Sequence, residues 1–207
     1  LGIPLIYGVD AVHGHNNVKG ATIFPHNVGL GCANDYELCR KVSKVTAVEV
    51  AATGINWNFS PCIAIPQNEK WGRHYEGYSE HVDIVSNMGE ASIIGYQTNE
   101  LGSVNHSIVA CAKHFIGDGA TIWGTGMGNK PDKIDRGNVQ ISDSLIRIKY
   151  LPPYQKAIDA GVGTIMASFN SINDLKCHAN GYLFNDLLKE EMGFDGFVIS
   201  DWQGIDE

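Results

Sequence analysis

Five short apolar runs, each ending in polar residues and each followed by a longer segment, constrain this chain more than any other feature. The runs are Ile3 to Val9, Gly54 to Phe59, Val109 to Ala112, Gly163 to Ala167 and Gly196 to Ser200. All are too short for independent helices, are rich in Val, Ile or aromatic residues, and do not alternate apolar with polar. That is the pattern of strands covered on both faces. Parallel strands wrapped by helices are therefore expected.

The intervening segments carry helical signals. Asn34-Asp35 caps a stretch to about Thr53 in which Leu38, Val42, Val45, Val48 and Ala52 recur at helical spacing, and Gly54 stops it. A second helix is predicted from about Ser79 to Leu101, closed by Gly102. The third opens at Ser142, is expected to break or kink at Pro152-Pro153, and resumes towards Ala160-Gly161. The fourth spans about Asn180 to Met192 and ends at Gly193.

This βαβα order permits an open doubly wound sheet or a (β/α)8 barrel. The polar residues decide between them. Asp10 and His13 follow the first run, Asn58 and Ser60 the second, Lys113-His114 the third, Ser168 and Asn170 the fourth, and Asp201 the fifth. Several strands contributing to one rim is the barrel habit, and the glycine-rich phosphate turn of a nucleotide-binding sheet is missing. The segment Gly124 to Gly128 is glycine-rich, yet no strand leads into it and no helix starts promptly after it, so it reads as a flexible loop. The expected fold is α/β: a partial TIM (β/α)8-type barrel of parallel strands with outer helices over residues 1–207, left incomplete.

Composition excludes several functions. At 207 residues with 43% hydrophobic and 18% charged residues, the chain has the makings of an ordinary globular core. A net charge of -8 with scattered Lys and Arg argues against nucleic acid. No run approaches the roughly 18 apolar residues of a membrane span. The opening Leu1-Gly2-Ile3-Pro4 lacks a start Met and the basic flank of a signal peptide, and reads as cut from something longer. Five Cys without a C-x-x-C pair point to buried free thiols rather than disulfides or a zinc site. Of the glycosylation sequons at Asn58 and Asn105, only the second sits in a polar loop.

The predicted rim holds Asp10, His13, His15, Arg73, His74, Glu76, Lys113, His114, Asp118 and Asp201. One reading takes His13-Gly14-His15 with Lys113, His114 and Asp201 as the site of a metal-dependent amide or ester hydrolase. The other is a sugar pocket, because vicinal hydroxyls require donors and acceptors side by side, as Asp10, Arg73, Lys113 and His114 provide. Asp201, delivered by a buried strand, would be its nucleophile, and Trp202 an aromatic plate for the next ring. Blander roles exist for each. His13, His15 and His26 can satisfy backbone groups, Arg73 and Glu76 can pair across a turn, Asp201 can cap a helix, Lys113 can be a Schiff-base lysine, and Asp118 reads as loop structure. Trp57, Trp71 and Trp123 read as packing or loop anchors.

Longer motifs sharpen the choice. The segments Ile3 to His15, Thr22 to His26, Trp71 to Glu80, Ala112 to Gly119 and Gly196 to Asp206 closely resemble, in order and almost end to end, the first domain of family 3 glycoside hydrolases. The similarity is greatest to the β-glucosidase and exo-β-glucan glucohydrolase branch. It implies a retaining glycosidase acting on β-linked glucosides or oligosaccharides, with Asp201 as nucleophile. Asp10, Arg73, Lys113 and His114 match the residues that hold the terminal glucose, and Trp202 matches one side of an aromatic clamp. Neither metal nor cofactor is implied, and relatives of this type are often secreted or periplasmic.

Three departures qualify the match. Asp118 stands where the N-acetylglucosaminidase branch has a catalytic His, which argues against amino sugars. Ser168-Phe169-Asn170 replaces a Tyr frequently found near the nucleophile. The branch's acid/base Glu comes from a second, C-terminal domain, so the fragment alone is expected to be inactive; a non-catalytic sugar-binding piece is the alternative that this gap leaves open.

Overall fold

The computed structural model describes residues 2–206 apart from 4, 99 and 128–132. Its elements run β1 (Gly8–Val9), α1 (Asn27–Ala33), α2 (Tyr36–Ala52), β2 (Trp57–Asn58), α3 (Val82–Gln97), β3 (Val109–Phe115), β4 (Asn138–Val139), α4 (Asp143–Leu145), α5 (Leu151–Asp159), β5 (Thr164–Ala167), β6 (Ser171–Ile172), β7 (Leu175–Lys176) and β8 (Phe197–Ile199). Strands β1-β2-β3-β5-β8 pair in that order, all parallel, and curl into a half-barrel with helices outside. All five predicted runs contribute one strand each, so the partial-barrel expectation holds.

Side chains stitch this sheet where strands are short. Asn58, fully buried, accepts from Ala11 N–H and donates to Ala11 C=O, both at 2.9 Å, which ties the loop after β1 to β2. Its sequon is therefore inaccessible, whereas Asn105 is exposed. Trp57 Nε1 donates to Thr164 Oγ1 at 2.9 Å, reaching from β2 over β3 to β5. At the end of α3, buried Gln97 accepts from Ala110 N–H (2.9 Å) and Gly163 N–H (3.0 Å) and donates to Gly161 C=O (2.7 Å). One amide thus fixes β3, the turn before β5 and α3 together.

The core lies between the sheet and the helices, with Val85, Met88 and Ile93 of α3 packed under Ala110, Ala112 and Ile165 of the strands. Helices α2 and α3 approach closely at Gly95, where a Cβ would stand 2.5 Å from Arg40 O. Any larger residue there would force the pair apart.

Several boundaries differ from expectation. Only Gly8–Val9 of the first run pairs; Ile3, Leu5 and Tyr7 are exposed because the sheet ends there, and Pro4 lies outside the described residues. In the second run Gly54 takes φ +81 to stop α2, leaving Trp57–Asn58 as the strand. The prolines do not break the third helix. A π-helical stretch at Ile146–Tyr150 widens the hydrogen-bond register just ahead of them, and they sit in the first turn of α5, where a missing N–H costs little. The fourth helix, Tyr182–Glu191, is π-helical throughout. Helix α1 and a small sheet of β4, β6 and β7 were not legible from periodicity, the latter because its strands have only two residues each. Gly124 to Met127 is a loop, as expected, with Gly128 outside the described residues.

Four cysteines are buried and free, but Cys32 is exposed, correcting the expectation for that thiol. Burial raises the Cys111 thiol to about 12. Among the described residues no helix is long and apolar enough to cross a membrane.

Candidate active site

The C-terminal ends of the strands open into a cleft of about 500 Å³ whose lining includes Asp10, Arg73, Lys113, His114, Asp201 and Trp202. All six residues singled out from the sequence for substrate contact or chemistry therefore meet in one place. Phe59, Met166 and Ile199 supply apolar wall. A larger, open groove of about 790 Å³ runs between α2 and α3, but it lies on the outer helices and holds none of the strand-end residues.

Lys113 and His114 are consecutive on β3, and in a regular strand they would point to opposite faces. The pairing of β3 with β5 slips between Ala112 and Phe115, and both side chains reach the cleft. Lys113, almost fully buried, donates from Nζ to Asp10 Oδ1 at 2.8 Å. Burying the ammonium is tolerable because the carboxylate is there to receive it.

Arg73 enters from the loop after β2. Its guanidinium forms a fork with Glu76, Nε to Oε1 at 2.8 Å and Nη2 to Oε2 at 2.9 Å. Burial opposes the charge on Arg73, but the Glu76 hydrogen bonds and charge outweigh it and hold the guanidinium protonated. Burial likewise works against charge on Glu76, and Arg73 more than offsets it, keeping the carboxyl below its ordinary range. The turn pairing foreseen for these residues is real, and it coexists with a place in the cleft wall.

His114 is buried, with Nδ1 2.8 Å from Asp118 Oδ2 and Nε2 2.8 Å from Arg73 Nη2. Burial, then the Arg73 and Lys113 charges, push its pKa well down, so the ring is neutral. Burial raises Asp118 to about 7 against the opposing pull of Arg73.

Asp201 follows β8 directly. Its Oδ2 lies 3.7 Å from His114 Nε2, while Oδ1 accepts the Trp202 N–H at 2.6 Å. The Asp201 N–H donates to His178 Nε2 at 3.3 Å. His178 comes this close because residue 204 is glycine: a Cβ there would stand 2.5 Å from His178 Nε2. Among the described residues Asp201 caps no helix, because turns follow it as far as Asp206. The Trp202 indole is 80% exposed beside it, an open aromatic face at the cleft mouth.

Other candidates lie elsewhere. His13 stacks on His26 with centroids 4.0 Å apart and places Nδ1 3.1 Å from Phe24 O. His15 is buried with Nε2 3.1 Å from Thr53 Oγ1. Neither histidine of the H-x-H pair is among the residues lining the cleft, and among the described residues no group of three or more His, Cys, Asp or Glu is arranged to hold a metal. Trp57 and Trp71 are buried packing residues, whereas Trp123 is half exposed under Lys70 Nζ, 5.2 Å from its ring centroid. One contributor, His178, escaped the sequence reading and carried no signal. Asp118 stands on the rim as expected, but beyond the loop role read for it the carboxyl meets His114 Nδ1 at 2.8 Å.

The chain matches the model of the glycosyl hydrolase family 3 N terminal domain over residues 1–207. The lysosomal beta glucosidase of Dictyostelium discoideum is 34% identical over 210 residues, covering 99% of this chain and 24% of that protein. The periplasmic beta-glucosidase of Salmonella typhimurium is 31% identical over 207 residues, covering 100% of this chain and 25% of that protein. Among solved structures, the exo-1,3/1,4-beta-glucanase from a Pseudoalteromonas species superposes with a TM-score of 0.89 at 44% identity, covering 98% of this chain and 24% of its own. A beta-glucosidase from Listeria innocua in complex with glucose gives a TM-score of 0.89 at 34% identity, covering 99% of this chain and 27% of its own. This chain spans about a quarter of the length of these relatives. With matching motifs, fold and strand-end site, the chain belongs to glycosyl hydrolase family 3, as part of its N-terminal domain.

Proposed function

We propose that this chain is the nucleophile-bearing part of a retaining glycosidase that removes terminal β-D-glucose from β-glucosides or β-glucan oligosaccharides. The observation that carries the reading is the convergence of Asp10, Arg73, Lys113 and His114 on the cleft into which Asp201 projects. The wall holds both donors and acceptors, as a ring of equatorial hydroxyls requires. The Listeria relative is described in complex with glucose and with laminaribiose, which supports the same ligand class here.

In this reading Asp201 attacks the anomeric carbon, the C–O bond to the leaving group breaks, and a glycosyl-aspartate forms. The departing oxygen takes a proton from an acid, and the conjugate base later removes one from the water that releases glucose. Retaining chemistry needs that second carboxyl about 5–5.5 Å from the first. The other carboxylates nearby are engaged, Asp10 by Lys113, Glu76 by Arg73 and Asp118 by His114. We assign the acid to a Glu of a further, C-terminal domain, and expect residues 1–207 alone to lack turnover. Relatives described as lysosomal and periplasmic support a secreted or periplasmic setting. The net charge of -8 fits a neutral sugar better than a nucleic acid.

Trapping with a 2-deoxy-2-fluoro glucoside tests the assignment. Peptide mapping of the full-length protein should find the adduct on Asp201, and D201N should lower kcat by about 10³-fold or more. Label on another residue, or a protein that retains sugar without ever being labelled, would replace this reading by a different nucleophile or a non-catalytic sugar-binding protein.

A further inference from the structure

His114 stands at the back of the cleft with both ring nitrogens engaged, and its two partners differ in kind. Arg73 Nη2, at 2.8 Å from Nε2, can only donate, so Nε2 must be a bare acceptor. The neutral ring then carries its proton on Nδ1, where Asp118 Oδ2 receives it at 2.8 Å. If no acceptor faced Nδ1, the proton could move to Nε2. An N–H would then confront a guanidinium N–H across 2.8 Å, donor against donor. Glu76 holds Arg73 from the other side with two bonds, so the imidazole is the part that would turn.

Asp118 is built for this one contact. It lies in the turn after β3, between Gly117, at φ +90, and Gly119, where a Cβ would stand 2.5 Å from Ile65 O. That close backbone approach carries the carboxyl to the Nδ1 edge of the ring. The side chain is buried, and among the described residues its other oxygen, Oδ1, has no hydrogen-bond partner. Among the described residues no fork to a cation accounts for it; its side chain bonds to His114.

We infer that Asp118 is a positioning residue that locks His114 in the Nδ1–H tautomer, so that Nε2 stays an acceptor beside the Arg73 donors. This deepens the glycosidase reading and rests on it for its consequence. The single lone pair of Nε2 is then spent on Arg73 Nη2, which holds the guanidinium in the cleft wall, and the cleft selects a sugar hydroxyl that accepts from the remaining Arg73 N–H groups. Asp118 touches no substrate, and its effect passes entirely through the orientation and proton position of His114.

Nitrogen-15 NMR of histidine-labelled full-length protein reads the tautomer directly. The wild type should show His114 with Nδ1 protonated and Nε2 bare. D118A should lose that signature, and its KM for an aryl β-glucoside should rise about 10- to 100-fold with a smaller change in kcat, by analogy with the loss on removing the outer-shell partners of metal-ligating histidines. D118N, whose amide oxygen can still accept from Nδ1–H, should restore the signature and recover most of the KM. The inference is overturned if D118A keeps the wild-type tautomer, if the tautomer changes without moving KM, or if folded D118N is as impaired as D118A. Should D118A fail to fold, loss of the Nδ1–H signature in D118N decides against it. Because the NMR readout needs no substrate, a wild type that cleaves no glucoside defeats the glycosidase reading and leaves the tautomer result standing.

Discussion

Lys113 Nζ meets Asp10 Oδ1 at 2.8 Å across strand ends separated by 103 residues of chain, and the two partners are unequally buried. The lysine side chain is 5% exposed and the aspartate 61%. The pair therefore joins β1's exit to β3 while leaving the carboxylate open to the cleft. Removing Asp10 strands a buried ammonium, whereas removing Lys113 frees an acid that water can reach.

D10A is accordingly expected to be the costlier half of the pair for stability. Solvent screens the exposed carboxylate, so the loss should be about 1–3 kcal/mol. K113M, which fills the same volume without charge, should lose less. Urea unfolding of both variants checks the order, and a larger loss in K113M would contradict this account of the pair.

Arg73 makes three short contacts, two to Glu76 and one to His114. A lysine there keeps the charge but cannot form the fork. R73K should raise KM for an aryl glucoside about 10- to 100-fold, the equivalent of one charge-assisted hydrogen bond at roughly 1.5–3 kcal/mol. Steady-state kinetics measures it, with an unchanged KM as the adverse outcome.

Gln97 is buried and binds two N–H groups and one carbonyl from two other segments, β3 and the turn before β5. Q97L preserves volume but leaves all three without this partner. The expected cost is about 2–5 kcal/mol, since each orphaned buried group forfeits its own desolvation energy. Kinetic constants of the folded fraction should barely move, because Gln97 lies at the far end of β3 from the cleft.

Asp118 ionises near 7 in the folded chain, against an ordinary 3.8. The folded state thus binds this proton more tightly than the unfolded state. Its stabilising contribution is whole below about pH 4, shrinks as pH rises, and is gone once the pH has passed through 7. D118N has no such proton to lose. The melting temperature of D118N minus that of the wild type should increase between pH 5 and pH 8 by calorimetry; a difference that is flat or falling across that interval would count against the burial of this carboxyl.

Much of this site is legible in the order of residues alone. Asp201 and Lys113-His114 stand at the ends of apolar runs, and such a run delivers its next polar residue to the rim, although only β3 of the two is buried on both faces and edge strand β8 leaves Phe197 exposed. Local chemistry also located the α2 cap: the Asp35 side chain accepts from Leu38 N–H at 2.9 Å, as an N-cap should. The prolines misled because their effect on a helix depends on hydrogen-bond register, and the π-helical turn ahead of them absorbed it. Strands β4, β6 and β7 were hidden because two residues carry no period.

The sequence by itself determined the order of the five barrel strands and of the longer helices between them, the family motifs and which residues could reach the rim, since these follow from periodicity and from local chemical type. Only the tertiary structure decided who pairs with whom. The slip between Ala112 and Phe115 brings adjacent side chains to one cleft, Asp10 rather than another acid receives Lys113, and Asp118 rather than Asp201 binds Nδ1 of His114. Those choices depend on sheet register and on glycine-permitted backbone approaches between distant segments, and such quantities exist only once the chain has folded.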